Sequence, residues 1–436
     1  MRDPEASVEF SDSAIVRTLN RPLPPEHFLL TTYARELVEA GEVVPYEFTG
    51  PLQIRAPRLS FVTYPHEWCA AQHKAASMLT LKIGERILRH GFELKDASAW
   101  NIIFDGCKPT LCDHLSFRTI VRNEWWAFGQ FVRHFVFPLV LFTHRGLHCH
   151  EVFTIFRDGP TPHFMRALLG AKRFRSRHWL LTLEPTHIPH LQRRTSSGDS
   201  RRALTYHNNL YSVARWFSSG LNGPRRKRSA WATYNEHLDH YGDHAGRQKS
   251  DVVQRWLCEL APHWVTDLGC NIGTFSILAT QCGANVIALD SDHDCIEALY
   301  KNGGHLPIFP VIASLDDLSG GRGWEGHEVP SLISRLEGRS DVLLMLGLLH
   351  HLMIASAIPL RHIVNLAKRL TKKYLIVELV SECDPMLIAL CQQRDRQVAE
   401  FSLALQMHAF EMSFSKIHSV MLEGGARKLA LYKKKG

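Results

Sequence analysis

The sequence predicts an α/β protein whose C-terminal half is a doubly wound, mostly parallel sheet, preceded by an α+β N-terminal region. Three observations carry this. Short apolar strands alternate with helical stretches through residues 264–379, the pattern of a parallel sheet covered on both faces. The first strand runs into a glycine-bearing turn that opens a helix, Asp267-Leu268-Gly269-Cys270-Asn271-Ile272-Gly273. The last two strand-like stretches, 414–421 and 428–433, are joined by Glu423-Gly424-Gly425 and predict an antiparallel hairpin at the sheet edge.

At 436 residues the chain is long enough for two or three folded units, and three zones can be drawn. The first, 1–122, holds a helix over 68–89, with Ala70, Ala71, Met78, Leu79, Leu81, Ile83 and Ile87 as its apolar residues. Two strands follow, 100–104 and 109–113, around the hairpin turn Asp105-Gly106. The second zone, 123–230, reads as a helical, basic connecting region with a buried helix over 131–142 and a loop over 193–202. The third, 231–436, has strands at 264–268, 286–289, 308–313, 342–346 and 374–379, with helices over 273–282 and 293–302 between the first three.

Net charge is +8 and unevenly placed: between Lys172 and Arg228 there are thirteen Lys or Arg against two acids, Glu184 and Asp199. Such a stripe can meet phosphate or an anionic surface, but it carries no aromatics at stacking spacing, and a solvated linker is the expectation. The longest apolar run, 131–142, contains Arg133, His134 and Pro138 and is shorter than the roughly 20 residues that span a bilayer. With no apolar leader after Met1, a cytoplasmic protein without a transmembrane segment is expected. The ten cysteines include no CxxC pair, so reduced thiols and no metal site are expected.

The turn after the first strand carries the chemistry. Ligands of open parallel sheets bind at the carboxyl ends of the strands. There Gly269 and Gly273 allow a tight turn and a close approach, and Asp267 can hold a cationic amine. The spacing Gly-x-x-x-Gly is not the dinucleotide pattern, so no pyrophosphate is expected on the helix N-terminus. The second strand ends at Asp290, where an acid can accept both hydroxyls of a ribose. After the fourth strand come His350 and His351, either of which can take a proton near neutral pH.

The strand, the turn and the second-strand acid resemble the class I S-adenosylmethionine (SAM)-dependent methyltransferase superfamily over 231–436. The resemblance implies a Rossmann-like domain with SAM as cofactor. It implies that Asp267, Gly269, Asn271 and Gly273 line the methionine and ribose part of SAM and that Asp290 binds the ribose. Ser314 stands nearest the position that reads the adenine amino group, with Asp316 and Asp317 just beyond, and His350 and His351 fall beside the reactive methyl. Further stretches, among them Tyr64-Pro65-His66-Glu67-Trp68, Lys95-Asp96-Ala97-Ser98-Ala99-Trp100-Asn101, residues 229–241, Leu349-His350-His351-Leu352, and Glu378 followed by Asp384-Pro385, resemble bacterial methyltransferase-like proteins related to NoeA, a rhizobial host-specific nodulation protein. Residues 95–117 also resemble the catalytic loop of protein and aminoglycoside kinases, with Asp96, Asn101 and Asp113 as base and magnesium ligands. Lys95 and His114-Leu115 depart from that pattern, and no glycine-rich phosphate loop precedes it, so a degenerate segment without phosphotransfer is expected.

The expected function is methyl transfer to a small molecule or glycan, with host-specific nodulation as the setting the resemblance implies. A nucleic-acid methyltransferase using the basic middle zone is the second reading. It is disfavoured because Gly347-Leu348-Leu349-His350 stands where an Asn-Pro-Pro-Tyr motif would hold a flipped base. A non-catalytic SAM-binding protein is the third, and the intact turn with both acids argues against it.

Overall fold

The computed structural model describes residues 5–11, 13–120, 125–171, 177–182, 200–224, 229 and 243–436. The chain divides into two compact units, Met1–Arg226 and Lys227–Gly436. Residues 172–176, 183–199 and 225–228 of the basic stretch, including Arg225-Arg226-Lys227-Arg228, and residues 230–241 of the motif at 229–241 lie outside the described residues.

The first unit opens with β1 (Ala6–Phe10), β2 (Ala14–Leu19), α1 (Thr32–Glu39), β3 (Glu47–Gly50) and β4 (Gln53–Pro57). The four strands form an antiparallel sheet in the order β1-β2-β4-β3. The helix expected over 68–89 is α2 (Ala70–Leu88), which buries Leu81, Ile83 and Ile87. β5 (Phe92–Leu94) pairs with β8 (Phe117–Thr119) around the expected hairpin, β6 (Ile102–Asp105) with β7 (Lys108–Leu111). The apolar run 131–142 becomes α3 (Phe128–Phe131), a π-helical turn Val132–Val136 and α4 (Phe137–Arg145). Pro138 lies in the first turn of α4, so its missing N–H falls where the helical ladder changes register. The run is core, with Phe131, Phe135, Phe137 and Leu141 fully buried. α5 (Cys149–Ile155), α6 (Pro162–Leu169) and α7 (Ser200–Ser218) follow. No helix among the described residues is long and apolar enough to cross a membrane.

The second unit begins with α8 (Asp243–Leu260) and then alternates β9 (Trp264–Leu268), α9 (Thr274–Gln281), β10 (Asn285–Asp290), α10 (His293–Asn302), β11 (Ile308–Ile312), α11 (Leu332–Leu336), β12 (Ser340–Met345), α12 (Leu360–Leu370) and β13 (Thr371–Val380). After α13 (Pro385–Gln393) and α14 (Leu403–Ser413), the hairpin of β14 (Phe414–Met421) and β15 (Arg427–Lys434) closes the sheet. The strand order is β11-β10-β9-β12-β13-β15-β14, parallel through β13 and antiparallel at β15 and β14. This is the doubly wound, mostly parallel sheet with a C-terminal antiparallel hairpin expected from the sequence. Every residue of β11 and β12 is buried. Burial of each Val, Leu or Ile contributes about 1.5–3 kcal/mol, which is why β11 and residues 342–345 of β12 read as unbroken apolar runs.

One expectation is corrected. The thiols are not all reduced: Cys258, on α8, and Cys282, just after α9, form a disulfide, while the other eight cysteines form none. The two helices pack side by side, and a sequence separation of 24 hides that pairing from any local spacing.

Candidate active site

Between β9 and α9 the chain must reverse within residues 269–273. It does so through left-handed conformations at Gly269 (φ +71°), Asn271 (φ +52°) and Gly273 (φ +86°). Glycine enters that region without strain, and asparagine more readily than most residues. A Cβ on Gly273 would stand 2.3 Å from Leu299 Cδ1 of α10, and one on Gly269 would stand 3.2 Å from Leu348 Cδ1. The crowding that selects glycine thus comes from the protein itself, ahead of any ligand.

The turn is tied to the end of β10. Gly269 N and Cys270 N both donate to the Leu289 carbonyl, at 2.8 and 2.9 Å. Asn271 N donates to Asp290 Oδ2 at 2.8 Å, and Asp292 N donates to Asp290 Oδ1 at 2.9 Å. Each carboxylate oxygen keeps further acceptor capacity. Burial pushes Asp290 above the ordinary carboxylate range, against these two amides. Asp267 is buried and accepts from Ser276 Oγ at 2.7 Å. Burial raises its pKa to about 6; the Ser276 hydroxyl opposes the rise, Asp290 adds to it, and the Lys249 ammonium opposes it. Asp267, Gly269, Asn271, Gly273 and Asp290 are therefore brought together at one end of the sheet.

Ser314 and Asp316 lie just past β11, whose end is tied to the same place by Ala313 N donating to the Asp290 carbonyl at 2.9 Å. Ser314 Oγ donates to Asp316 Oδ1, and Ser356 Oγ donates to Asp316 Oδ2 at 2.7 Å. These two hydroxyls hold the exposed Asp316 below the ordinary carboxylate value.

A buried chain of charges borders the histidine pair. Lys249 Nζ of α8 lies 2.5 Å from Glu378 Oε2 of β13, and Arg427 Nη1 lies 3.3 Å from Glu378 Oε1. Arg427 Nε donates to Asp384 Oδ2 at 2.7 Å, while Asp384 Oδ1 accepts from the N–H groups of Met386 and Leu387 and so caps α13. Two cations face two anions, which makes their shared burial tolerable. His350 is 2 % exposed. Its pKa is driven well below the ordinary value by burial, then by His351 and Arg427. Its Nδ1 is buried and has no hydrogen-bond partner among the described residues. His351, half-buried, stacks obliquely on it with ring centroids 4.2 Å apart, and burial lowers its pKa too. Lys249 and Arg427 were missed by the sequence reading. A separation of 129 residues between Lys249 and Glu378 leaves no local signal.

Two other groupings of polar side chains can be described. On α10, ligating atoms of His293, Asp294 and Glu297 lie within 4.8 Å of one another, but Asp294 Oδ2 accepts from Ser229 N and Glu297 pairs with Lys301. In the first unit Asp96, Asn101 and Asp113 converge. Burial raises Asp96, Asn101 hydrogen-bonds to it, and Asp113 adds to the rise. Burial would also raise Asp113, yet Arg17 of β2, with Nη1 2.8 Å from Oδ1, holds it below the ordinary value together with Ser116. Asn101 Nδ2 donates to Ser116 Oγ at 3.1 Å.

No family model matches the chain. It is 26% identical over 459 residues to the nodulation protein NoeA of Rhizobium meliloti (strain 1021), covering 99% of this chain and 95% of that one. Among solved structures, it is similar to the N-methyltransferase NodS from Bradyrhizobium japonicum WM9 in complex with S-adenosylhomocysteine, at 10% identity and a TM-score of 0.34, over 47% of this chain and 99% of that one. It is also similar to magnesium protoporphyrin IX methyltransferase from Synechocystis PCC 6803 with bound SAM, at 15% identity and a TM-score of 0.29, over 48% and 86% of the two chains.

Proposed function

We propose that the second unit is a SAM-dependent methyltransferase acting on a small-molecule or glycan acceptor. One observation carries the reading: Asp267, the left-handed turn 269–273 and Asp290 meet at the carboxyl ends of β9 and β10, with Asp267 buried, Asp290 half-buried and both retaining acceptor capacity. Asp290 accepts the ribose hydroxyls. Asp267 and Lys249 offer an anion and a cation to the amino-acid end of the cofactor, and Gly269, Asn271 and Gly273 let backbone approach it. Ser314 and Asp316 flank the base. SAM supplies the transferable methyl. The chain's own contribution is to hold the acceptor in line, an effect large enough to act without a base. Where the acceptor is a hydroxyl, His350 or His351, kept neutral by burial, takes its proton.

In the first unit we propose a degenerate kinase-like segment. Asp96, Asn101 and Asp113 converge as that resemblance implies, but the Arg17 guanidinium occupies Asp113. A cytoplasmic setting is also proposed, on the eight cysteines that form no disulfide against the one pair that does. A role in host-specific nodulation rests on the likeness to NoeA along nearly the whole chain.

The test is mass spectrometry of bacterial extract incubated with methyl-labelled SAM, with and without the protein. A labelled product that depends on the protein and vanishes with Gly269→Val is expected. No protein-dependent label in any extract counts against methyl transfer.

A further inference from the structure

We propose that Glu378 of β13 and Arg427 of β15 are positioning residues for the cofactor's amino-acid end: Arg427 holds Glu378, Glu378 holds the Lys249 ammonium, and Lys249 is thereby kept beside Asp267 to meet the cofactor's carboxylate. The inference rests on the methyltransferase reading and extends its cofactor site to the antiparallel hairpin. Strand register puts Glu378 on the ligand-binding rim. Asp267 of β9 lies opposite Leu344 of β12, which lies opposite Ile376 of β13, so the three share one face of the sheet. Glu378 stands two residues farther along β13 on that face, toward the carboxyl ends where such sheets bind ligands. On the other side Asp267 lies opposite Ala288, so Asp290 stands equally far along β10. The turn after β12 passes close to Glu378, since a Cβ on Gly347 would stand 3.8 Å from Glu378 Oε2. Arg427 lies opposite Val380, and Glu378 opposite Leu429, which makes Arg427 and Glu378 diagonal neighbours on one face, within reach of a long side chain.

The contacts are anchored at their far end. Asp384 Oδ1 accepts from Met386 N at 2.9 Å and Leu387 N at 3.0 Å, so its charge is met by the N-terminus of α13. Arg427 Nε lies 2.7 Å from Asp384 Oδ2, its Nη2 lies 3.4 Å from Asp384 Oδ1, and its Nη1 lies 3.3 Å from Glu378 Oε1. One planar guanidinium thus spans two carboxylates, which the point charge of an ammonium spans less well. Glu378 is fully buried and turns its other oxygen to Lys249 Nζ at 2.5 Å. The Lys249 ammonium also sits 5.0 Å over the Phe275 ring, and the next residue, Ser276, donates to Asp267 Oδ2 at 2.7 Å. Lys249 is therefore held near Asp267, close enough to oppose the rise in that carboxyl's pKa. Glu378 alone would cancel the charge of Lys249 and repel an incoming carboxylate. Arg427, on the other oxygen, offsets that anion, and the lysine keeps an attractive field to offer.

Calorimetry measures the binding of S-adenosylhomocysteine and, separately, of methylthioadenosine, which lacks the amino-acid end. The proteins are full-length wild type, Lys249→Met, Arg427→Lys and the double variant, each checked for folding by circular dichroism. Lys249→Met and Arg427→Lys should each weaken S-adenosylhomocysteine by about tenfold or more, with methylthioadenosine affinity within about twofold of wild type throughout. In the Lys249→Met background the Arg427 change should cost no more than about a further twofold, because its effect runs through that lysine. Glu378→Gln keeps the shape of the side chain and should behave as Arg427→Lys does, and it carries the test if the arginine variant does not fold. Undiminished S-adenosylhomocysteine affinity in the folded variants of Arg427 and Glu378, equal loss of both ligands, or additive losses in the double variant would overturn the proposal. A folded wild-type protein that binds neither ligand would instead overturn the methyltransferase reading on which the proposal rests.

Discussion

Replacing Asp290 by Ala separates two roles that the structure gives one carboxylate. The first is structural. Asp290 Oδ2 holds Asn271 N at 2.8 Å and Oδ1 holds Asp292 N at 2.9 Å. A hydrogen bond to a charged group is worth about 1.5–3 kcal/mol net. Asn271 and Asp292 are only partly buried, so water can reach the freed amides. The loss therefore falls at the low end, about 3 kcal/mol for the pair. The second role is ligand binding. Losing the acceptor for two ribose hydroxyls should weaken cofactor binding by about 1–3 kcal/mol, or roughly 5- to 150-fold. Urea denaturation reads the first quantity, and calorimetry with S-adenosylhomocysteine on the folded variant reads the second. A variant that loses stability yet binds with wild-type affinity would show that Asp290 only ties the turn to β10, and the reasoning about the ribose would be wrong.

The remaining predictions concern charge and chemistry. Because the buried Asp267 carboxyl titrates at about 6 and its charged form is the one that attracts the cofactor's amine, affinity should plateau above pH 7. It should fall nearly tenfold per unit below pH 6, and a flat calorimetric profile between pH 5 and 7.5 would remove Asp267 from the amine contact. If a histidine acts as base, His350→Ala or His351→Ala should lower turnover about 10²–10⁴-fold with cofactor affinity little changed. Turnover within a few-fold of wild type in both would leave the pair a packing role and the site working by proximity. The first unit should not transfer phosphate from ATP, since Arg17 neutralises Asp113; a magnesium-dependent phosphotransfer assay that gives product, lost on Asp113→Ala, would make the protein bifunctional.

What could be read in the sequence was local. Strands β9 and β14 and helix α10 fall where the sequence put them: β9 is buried from Val265 to Leu268, the Glu423-Gly424-Gly425 turn marks the hairpin that holds the largely exposed β14, and α10 begins at a capping aspartate, Asp292. The turn 269–273 was legible because its positive φ values favour glycine and, after it, asparagine. Elements decided by distant partners were not legible. β13 starts at Thr371, ahead of its apolar run at 374, because Thr371 pairs with Ser340 of β12. The N-terminal sheet was not foreseen: β3 exposes nearly its whole length, and β4 alternates Ile54 and Ala56 with exposed polar residues over only five positions, too short for periodicity to decide. Lys249, Glu378, Arg427 and Asp384 come from four separate elements, and only folding makes one network of them. The Cys258–Cys282 pairing was hidden in the same way.

The measurement that bears most directly on the account is calorimetric titration of the full-length protein with S-adenosylhomocysteine, run beside Gly269→Val. At φ +71° a β-branched side chain is strained by about 1–3 kcal/mol, and its Cβ presses on Leu348. The account predicts saturable binding at one site per chain for the wild type and none for the variant, with the variant still folded by circular dichroism. No binding by the folded wild-type protein at millimolar ligand, or normal binding by a folded Gly269→Val, would contradict it.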